Sequence, residues 1–391
     1  MKMKNKSQLI TLSLATIVAV LGFSLAGYSA KEIKVAVAGP FTGNIAAFGE
    51  MIKRGAELRA KEINAAGGVN GKKLTLVFED DTGKDREASL VATRIATNRD
   101  ILAVIGHFNS SCSLAGKPIY KRAGIVEFSP GSTNVRVTEV MEGIAWTFRN
   151  IYRDDFQGEF GAKYIKNVLK NINTVAVFFD NDDYGRGLKD GFTKSAQKLG
   201  LQIVTAEAYD RDNTDFKAQL TSIKAKNPDL IFIAGLYSQA GLIVSQARET
   251  GITSQFFGAD GVDSPDFLKI AGAAAEGMHI TTPFVFELGG PEAQRVAQAF
   301  EKDYGTAPDT WAALTYDALG MIVEAIEKGG ENRKAIRDYL ASIDKPEKGY
   351  KGITGLTYFD KNGDCIKPAY VKFVRNGKFV PAEKQMLEMG M

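Results

Sequence analysis

From Ile33 onward the chain alternates short apolar runs with longer stretches in which apolar residues recur every three or four positions. Such alternation calls for parallel strands covered by helices on both faces. In the first half it predicts strands over Ile33 to Ala38, Leu74 to Phe78, Ile101 to Ile105 and Ile125 to Phe128. Between the first two, Ile52, Ala56, Ala60 and Ile63 fall on one stripe while Lys53, Glu57, Lys61 and Glu62 fall elsewhere, which predicts a helix from Phe48 to Ala65. Gly67-Gly68 ends that helix and Asn70-Gly71 supplies a tight turn, because glycine accepts the left-handed backbone required there.

A second alternation begins at Thr174. Its expected strands are Val175 to Phe179, Ile203 to Ala206, Leu230 to Ala234 and Phe256-Phe257-Gly258, with helices near Leu188 to Leu199, Phe216 to Ala225 and Ala240 to Thr250. Leu356 to Phe359 and Tyr370 to Val374, on either side of Asn362-Gly363, read as a terminal hairpin. The fold class is therefore α/β, with two doubly wound parallel-sheet lobes in one chain and a cleft between them. Some 360 residues beyond the leader are enough for more than one hydrophobic core. Open parallel sheets bind ligands at the carboxyl ends of their strands, so the loops there are the first place to look for chemistry.

The leader changes the setting of the protein. Lys2, Lys4 and Lys6 precede an uncharged apolar stretch from Leu9 to Leu25, followed by small residues, in the order of a secretory signal peptide. Residues 1–30 are thus expected to be removed, with cleavage after Ala26 or after Ala30. Tyr28 stands where a lipoprotein signal would carry its cysteine, so the expected product is a soluble periplasmic protein without a lipid anchor. The net charge of +3 resides in that leader, leaving the remainder neutral. Neutrality argues against a nucleic-acid or anionic-membrane partner. Cys112 and Cys365 are the only thiols and His107 and His279 the only histidines, which offers neither a disulfide framework nor zinc spacing. No metal or other cofactor is expected.

Four segments stand at strand ends: Phe108-Asn109-Ser110-Ser111, Ser129-Pro130-Gly131-Ser132-Thr133, Asn181-Asp182-Asp183-Tyr184-Gly185 and Gly258-Ala259-Asp260-Gly261. Ser110, Ser132 and Thr133 offer hydroxyl donors, and Gly131 allows close approach to backbone N–H groups. Together they suit a carboxylate held by neutral dipoles; singly, each also suits a helix cap. Asp260 is either the partner of a ligand ammonium or an ordinary turn aspartate. Tyr184 either closes over a ligand or caps its helix. Enzyme signatures are poor by comparison. There is no Gly-x-Ser-x-Gly elbow after the leader, and Gly67 to Lys73 lacks the spacing and hydroxyl residue of a phosphate loop. The chain is not expected to be an enzyme.

Several runs in order carry a family likeness. They are Ile33-Lys34-Val35-Ala36-Val37-Ala38-Gly39-Pro40 with Thr42-Gly43, Ile63-Asn64-Ala65-Ala66-Gly67-Gly68 with Asn70-Gly71, and Val104-Ile105-Gly106-His107. Asp183-Tyr184-Gly185, Gln255-Phe256-Phe257-Gly258 and Ala275-Glu276-Gly277 follow. Through these the chain resembles the leucine/isoleucine/valine-binding proteins, type I periplasmic binding proteins that serve branched-chain amino acid ABC transporters. The resemblance implies two lobes joined by a three-strand hinge, residues 31–151 with 283–355 and residues 152–282 with 356–391. It implies a carboxylate held by Ser110, Gly131, Ser132 and Thr133, a tyrosine contact from Tyr184, and an ammonium held by Asp260, where branched-chain members usually have glutamate. Phe48, Phe108, Asn109 and Leu236 (or its neighbour Tyr237) fall on the pocket wall. Phe48 stands where tyrosine is frequent and Phe108 where leucine can stand, and Cys112 lacks the partner thiol that branched-chain members carry nearby.

The expected function is that of a monomeric extracytoplasmic component of an ABC importer, binding a hydrophobic, branched-chain amino acid between closing lobes and delivering it to an inner-membrane permease. The rivals are the same fold with an amide, urea-like or aromatic acid ligand, a ligand-presenting sensor, and an exported hydrolase.

Overall fold

A computed structural model describes residues 32–386 and the backbone of Met389 and Gly390. The signal segment read at residues 1–30 lies outside the described residues. The strand Ile33–Gly39 is hydrogen-bonded on both edges, by Leu74–Asp80 in the register Ile33 to Leu74 through Gly39 to Asp80, and by Ile101–Ile105. Val35, Ala36, Val37 and Ala38 are completely buried, which is why this strand reads as a continuous apolar run. The sheet continues through Val126–Ser129 to Thr147–Arg149, and all its pairings are parallel.

The second sheet has seven strands in the order Lys378–Pro381, Tyr370–Arg375, His279–Thr282, Gln255–Gly258, Leu230–Ala234, Thr174–Asp180 and Gln202–Tyr209. Pairing is parallel from His279–Thr282 to Gln202–Tyr209, and Tyr370–Arg375 is antiparallel to both of its neighbours. In each sheet the first strand of the half lies one in from the edge, so the chain order reverses beside it. Loops leaving the carboxyl ends at that reversal diverge and leave a crevice. In the first sheet the crevice lies between Gly39 and Ile105, and in the second between Asp180 and Ala234.

Helices Ala46–Ala65 and Thr310–Gly329 pack against each other over the first sheet. Their approach requires glycine at 55, where a β-carbon would lie 2.4 Å from the carbonyl oxygen of Ala312. Thr310–Gly329 is buried from Thr310 to Val323 without a break, as an apolar helix sandwiched between neighbours must be.

Predicted strands and helices all occur, with ends shifted by a few residues. One expectation fails. Gly355–Thr357 pairs with Tyr350–Gly352, and Tyr370–Arg375 pairs with Lys378–Pro381, so the terminal hairpin around Asn362-Gly363 does not form. The turn that does form is Asn376-Gly377, whose positive φ values of 53° and 68° suit a two-residue connection between twisted strands. Residues around Asn362 instead stay against the first sheet. Phe359 packs edge-on to Phe128 and Phe148, and Asp364 accepts from buried Arg149 at 2.6 Å. Cys112 and Cys365 are both free and buried. Among the described residues no helix is long and apolar enough to cross a membrane.

Candidate functional site

The loops after Ile101–Ile105 and Val126–Ser129 are tied together by serine hydroxyls. Ser129 Oγ donates to the His107 carbonyl at 2.6 Å and accepts from the Ser132 N–H at 2.9 Å. Ser132 Oγ donates to the Phe108 carbonyl at 3.0 Å and lies 2.8 Å from Ser113 Oγ. Ser132 was expected to face a ligand; its N–H is instead spent within its own loop and its hydroxyl on the other, and it is fully buried. Beneath them, His107 Nδ1 meets Asp81 Oδ2 at 2.6 Å and Nε2 meets the Tyr120 hydroxyl at 2.9 Å, all three fully buried. His107 therefore anchors the loop from below.

On this frame Ser110 opens the helix Ser110–Ala123, and its Oγ accepts from the Asn134 N–H at 3.2 Å. That oxygen keeps its own proton to donate. Thr133 is fully buried and its hydroxyl has no partner. Asn109 is buried beside Ser110 with its side-chain oxygen likewise unpaired.

In the second sheet, Asp182 accepts from the Gly185 N–H at 2.8 Å and so starts the helix Asp183–Lys198, placing Tyr184 in its first turn. The Tyr184 hydroxyl donates to Asp260 Oδ1 at 2.7 Å and accepts from the Gly261 N–H at 3.2 Å. Asp260 is 1% exposed, and its Oδ2 has no partner. Burial raises its pKa to about 6, against the pull of Gln157, Tyr184 and the Gly261 N–H, while Asp263 adds to the rise. A buried acid with one open oxygen is poised to receive a cation.

These groups converge. Phe108, Asn109, Ser110, Gly131 and Trp311 from the first side, and Tyr184, Leu236, Asp260 and Gly261 from the second, enclose a cavity of about 10 Å³. Of the residues anticipated from sequence, Phe108, Asn109, Ser110, Gly131, Tyr184, Leu236 and Asp260 border it directly. Phe48 stands behind the wall, fully buried, with its ring 4.7 Å from that of Phe108. Gly131 borders the cavity, but the space beside its α-carbon is filled by the Phe108 ring. A β-carbon there would lie 2.3 Å from Phe108 Cδ2, so the missing side chain admits the ring, where a ligand was expected.

Three groups escaped the sequence reading. Trp311, 1% exposed, packs 4.8 Å from Phe108 and donates its indole N–H to the Asp263 carbonyl at 3.0 Å. It lies some two hundred residues from Phe108 along the chain, and its available signal was being one of two tryptophans, just after the capping Asp309. Asp154 opens the helix Asp154–Asn167 with both carboxylate oxygens unpaired. Burial drives its pKa far up, and the Thr133 hydroxyl opposes this although the two form no hydrogen bond of good geometry. Gln157, one turn on, donates to Thr281 Oγ1 at 3.0 Å.

The two sides also touch outside the cavity. Asn134 Nδ2 donates to the Asp183 carbonyl at 2.6 Å, Arg136 pairs with the Asp183 carboxylate, and the Tyr237 hydroxyl accepts from the Ala47 N–H at 3.3 Å. A cleft closed by such contacts, with an acid on one wall and hydroxyl donors on the other, fits a binding protein.

The periplasmic binding protein family matches residues 32–378 of the chain. The chain belongs to that family. Similar relatives include an amino acid binding protein of Pseudomonas aeruginosa, 35% identical over 355 residues that span 89% of this chain and 91% of that protein. Another, from the same organism, is a leucine-, isoleucine-, valine-, threonine- and alanine-binding protein, 31% identical over 88% of this chain and 90% of that protein. Among solved structures, the branched-chain amino acid transporter substrate binding protein LivJ of Streptococcus pneumoniae, in complex with isoleucine, superposes with a TM-score of 0.84 at 32% identity. It covers 92% of this chain and all of that one. The two-lobed type I periplasmic binding protein fold is therefore established for this periplasmic binding protein, and its family is one of substrate-binding proteins, not of enzymes.

Proposed function

We propose that this periplasmic binding protein is the extracytoplasmic substrate-binding component of an ABC importer and holds an aliphatic, branched-chain class amino acid as a zwitterion between its lobes. The observation that carries this reading is the open oxygen of buried Asp260 on the same small cavity as the Ser110 hydroxyl. A carboxylate on one wall and a proton donor on the other match the two ends of an α-amino acid. The Ser110 and Thr133 hydroxyls take the ligand carboxylate. Asp260, oriented by Tyr184, takes the ammonium, and Phe108, Trp311 and Leu236, backed by Phe48, face its side chain.

Residues 31–151 with 283–355 and residues 152–282 with 356–391 form the two lobes, the last segment beginning with residues that still pack on the first sheet. A ligand bonded to both lobes favours the closed form, and a permease that docks only that form receives loaded protein. The protein acts as a monomer, is exported by its leader, and performs no catalysis. The relatives named as amino acid binding proteins and the isoleucine-bound neighbour support this reading.

The test is calorimetric titration of protein unfolded, stripped of co-purified ligand and refolded, with the twenty amino acids and with amides and aromatic acids. Binding of aliphatic amino acids that Asp260→Ala abolishes supports the proposal. Binding of an amide or aromatic acid alone overturns it.

A further inference from the structure

The amino ends of the first sheet's strands, opposite the loops that build the cleft, carry a second cavity. Arg99 stands shortly before Ile101–Ile105, Gly124 shortly before Val126–Ser129 and Trp146 immediately before Thr147–Arg149, and the helix Arg333–Ser342 begins beside them. Together they border about 530 Å³, the size of a small-molecule site.

Its lining holds four cations, Arg99, Arg333, Lys334 and Arg337, and one acid, Glu331. Glu331 is engaged by Lys72 and Asn70, and Asp338 is shared by Lys334 and Arg337. Arg333 meets no carboxylate among the described residues. Its guanidinium donates instead to the carbonyls of Ile101 at 3.0 Å and Asn98 at 2.8 Å. Arg99 has no partner among the described residues, and the adjacent Asp100 turns to Lys34. Burial lowers the pKa of Arg333, and repulsion from Arg99 lowers it further. Two guanidiniums thus stand near each other with no carboxylate bonded to either, in a chain that is neutral once the leader is set aside. Like charges gathered on a concave wall focus a positive potential, and an anion seated there relieves the repulsion.

The rest of the wall suits a flat, apolar body. The Trp146 ring covers Gly124, where a β-carbon would lie 3.5 Å from its edge, and the Arg337 guanidinium lies over the ring at 5.3 Å from the centroid. The Trp146 indole N–H has no partner among the described residues, and Arg337 Nε is buried without one. Leu102 and Ile144, the latter 48% exposed, add apolar surface. An indole beside guanidiniums takes a planar ring by stacking, and guanidiniums bind phosphate oxygens through paired N–H groups.

We propose that this cavity is a second ligand site, for a small phosphate that carries a planar ring. Arg99 takes the phosphate, in the field of Arg333, Lys334 and Arg337, and the Trp146 face takes the ring. A dianion is favoured over a single carboxylate because five cations, Lys72 included, stand against the two acids Glu331 and Asp338. The cavity shares no lining residue with the one between Ser110 and Asp260.

The experiment titrates wild type, Arg99→Glu and Arg99→Gln calorimetrically with phenyl phosphate, inorganic phosphate and phenol, with circular dichroism to confirm folding. Wild type is expected to bind one phenyl phosphate per chain, about tenfold more tightly than inorganic phosphate, and to ignore phenol. Arg99→Glu is expected to weaken phenyl phosphate about tenfold or more, and Arg99→Gln to weaken it less, while amino acid binding stays as in wild type. Folded wild type that gives no saturable heat with phenyl phosphate at millimolar concentration overturns the proposal. So does phenyl phosphate binding that both variants leave unchanged, since the ligand would then sit elsewhere. Equal affinity for phenyl phosphate and inorganic phosphate overturns the ring-bearing class, because Trp146 would add nothing.

Discussion

The Tyr184 hydroxyl donates to one oxygen of Asp260 and leaves the other without a partner. One oxygen is oriented by the protein and one is held open, which separates two roles that a substitution can split. Tyr184→Phe keeps the charge and loses the orienting bond, so amino acid affinity should weaken by about 1–2 kcal/mol. Asp260→Asn keeps the shape and loses the charge, and should cost more, about 2–5 kcal/mol. Calorimetry on both variants, with circular dichroism to confirm the fold, checks the order.

Affinity should depend on pH through the same group. Asp260 must be ionised to hold an ammonium, and burial raises its pKa to about 6 in the unliganded protein. Binding is then flat above neutrality and weakens as pH falls below about 6, approaching tenfold per unit. Titrations from pH 5 to pH 8 test this, and Asp260→Asn should flatten the profile.

Glu127 makes a prediction about stability alone. It is fully buried, Oε2 accepts from Thr147 at 3.1 Å, and Oε1 has no partner. Burial raises its pKa from 4.5 to about 7, against the pull of His107. The folded state therefore keeps this proton longer than the unfolded chain. Its contribution to stability is fully present below about 4.5 and is lost as pH rises to about 7. Glu127→Gln should be more stable than wild type at pH 8 by on the order of 1–3 kcal/mol, and the advantage should vanish near pH 5. Urea unfolding at the two pH values measures it.

Trp311 couples the wall to the opposite side of the cleft through its bond to the Asp263 carbonyl. Trp311→Phe keeps a ring and leaves that buried carbonyl unpaired, at a cost of about 1–3 kcal/mol to the closed form. The open form does not share that cost. Ligand affinity should therefore fall while the unfolding midpoint of ligand-free protein moves little.

Most of the fold was legible because the inner parallel strands of the two sheets are largely buried on both faces. Runs such as Ile101 to Ile105 and Leu230 to Ala234 then appear as unbroken apolar stretches with the observed bounds. The terminal hairpin was misplaced because Asn362-Gly363 and Asn376-Gly377 are the same dipeptide. Only the second separates its strands by two residues, and the first is held on the other sheet by Phe359 and Asp364. At the site, Ser110, Tyr184 and Asp260 were legible as polar residues at the carboxyl ends of strands. Trp311 was not, because it follows an ordinary helix start and reaches the cleft only through the folding of distant segments. The part played by Gly131 was misread for a related reason. A glycine in a loop shows that something approaches closely, and the sequence does not say whether that is a ligand or Phe108.

The central claim is that both ends of one α-amino acid are held, the carboxylate by Ser110 and Thr133 and the ammonium by Asp260. The most direct measurement is calorimetric titration of refolded, ligand-free protein with valine, with 3-methylbutanoate, which lacks the amine, and with isobutylamine, which lacks the carboxylate. Binding of valine with at least a hundredfold loss for each truncated compound, on the order of 3 kcal/mol per lost charged contact, is the predicted result. Binding of 3-methylbutanoate as tight as that of valine would contradict the account, since Asp260 would then have no ammonium to hold.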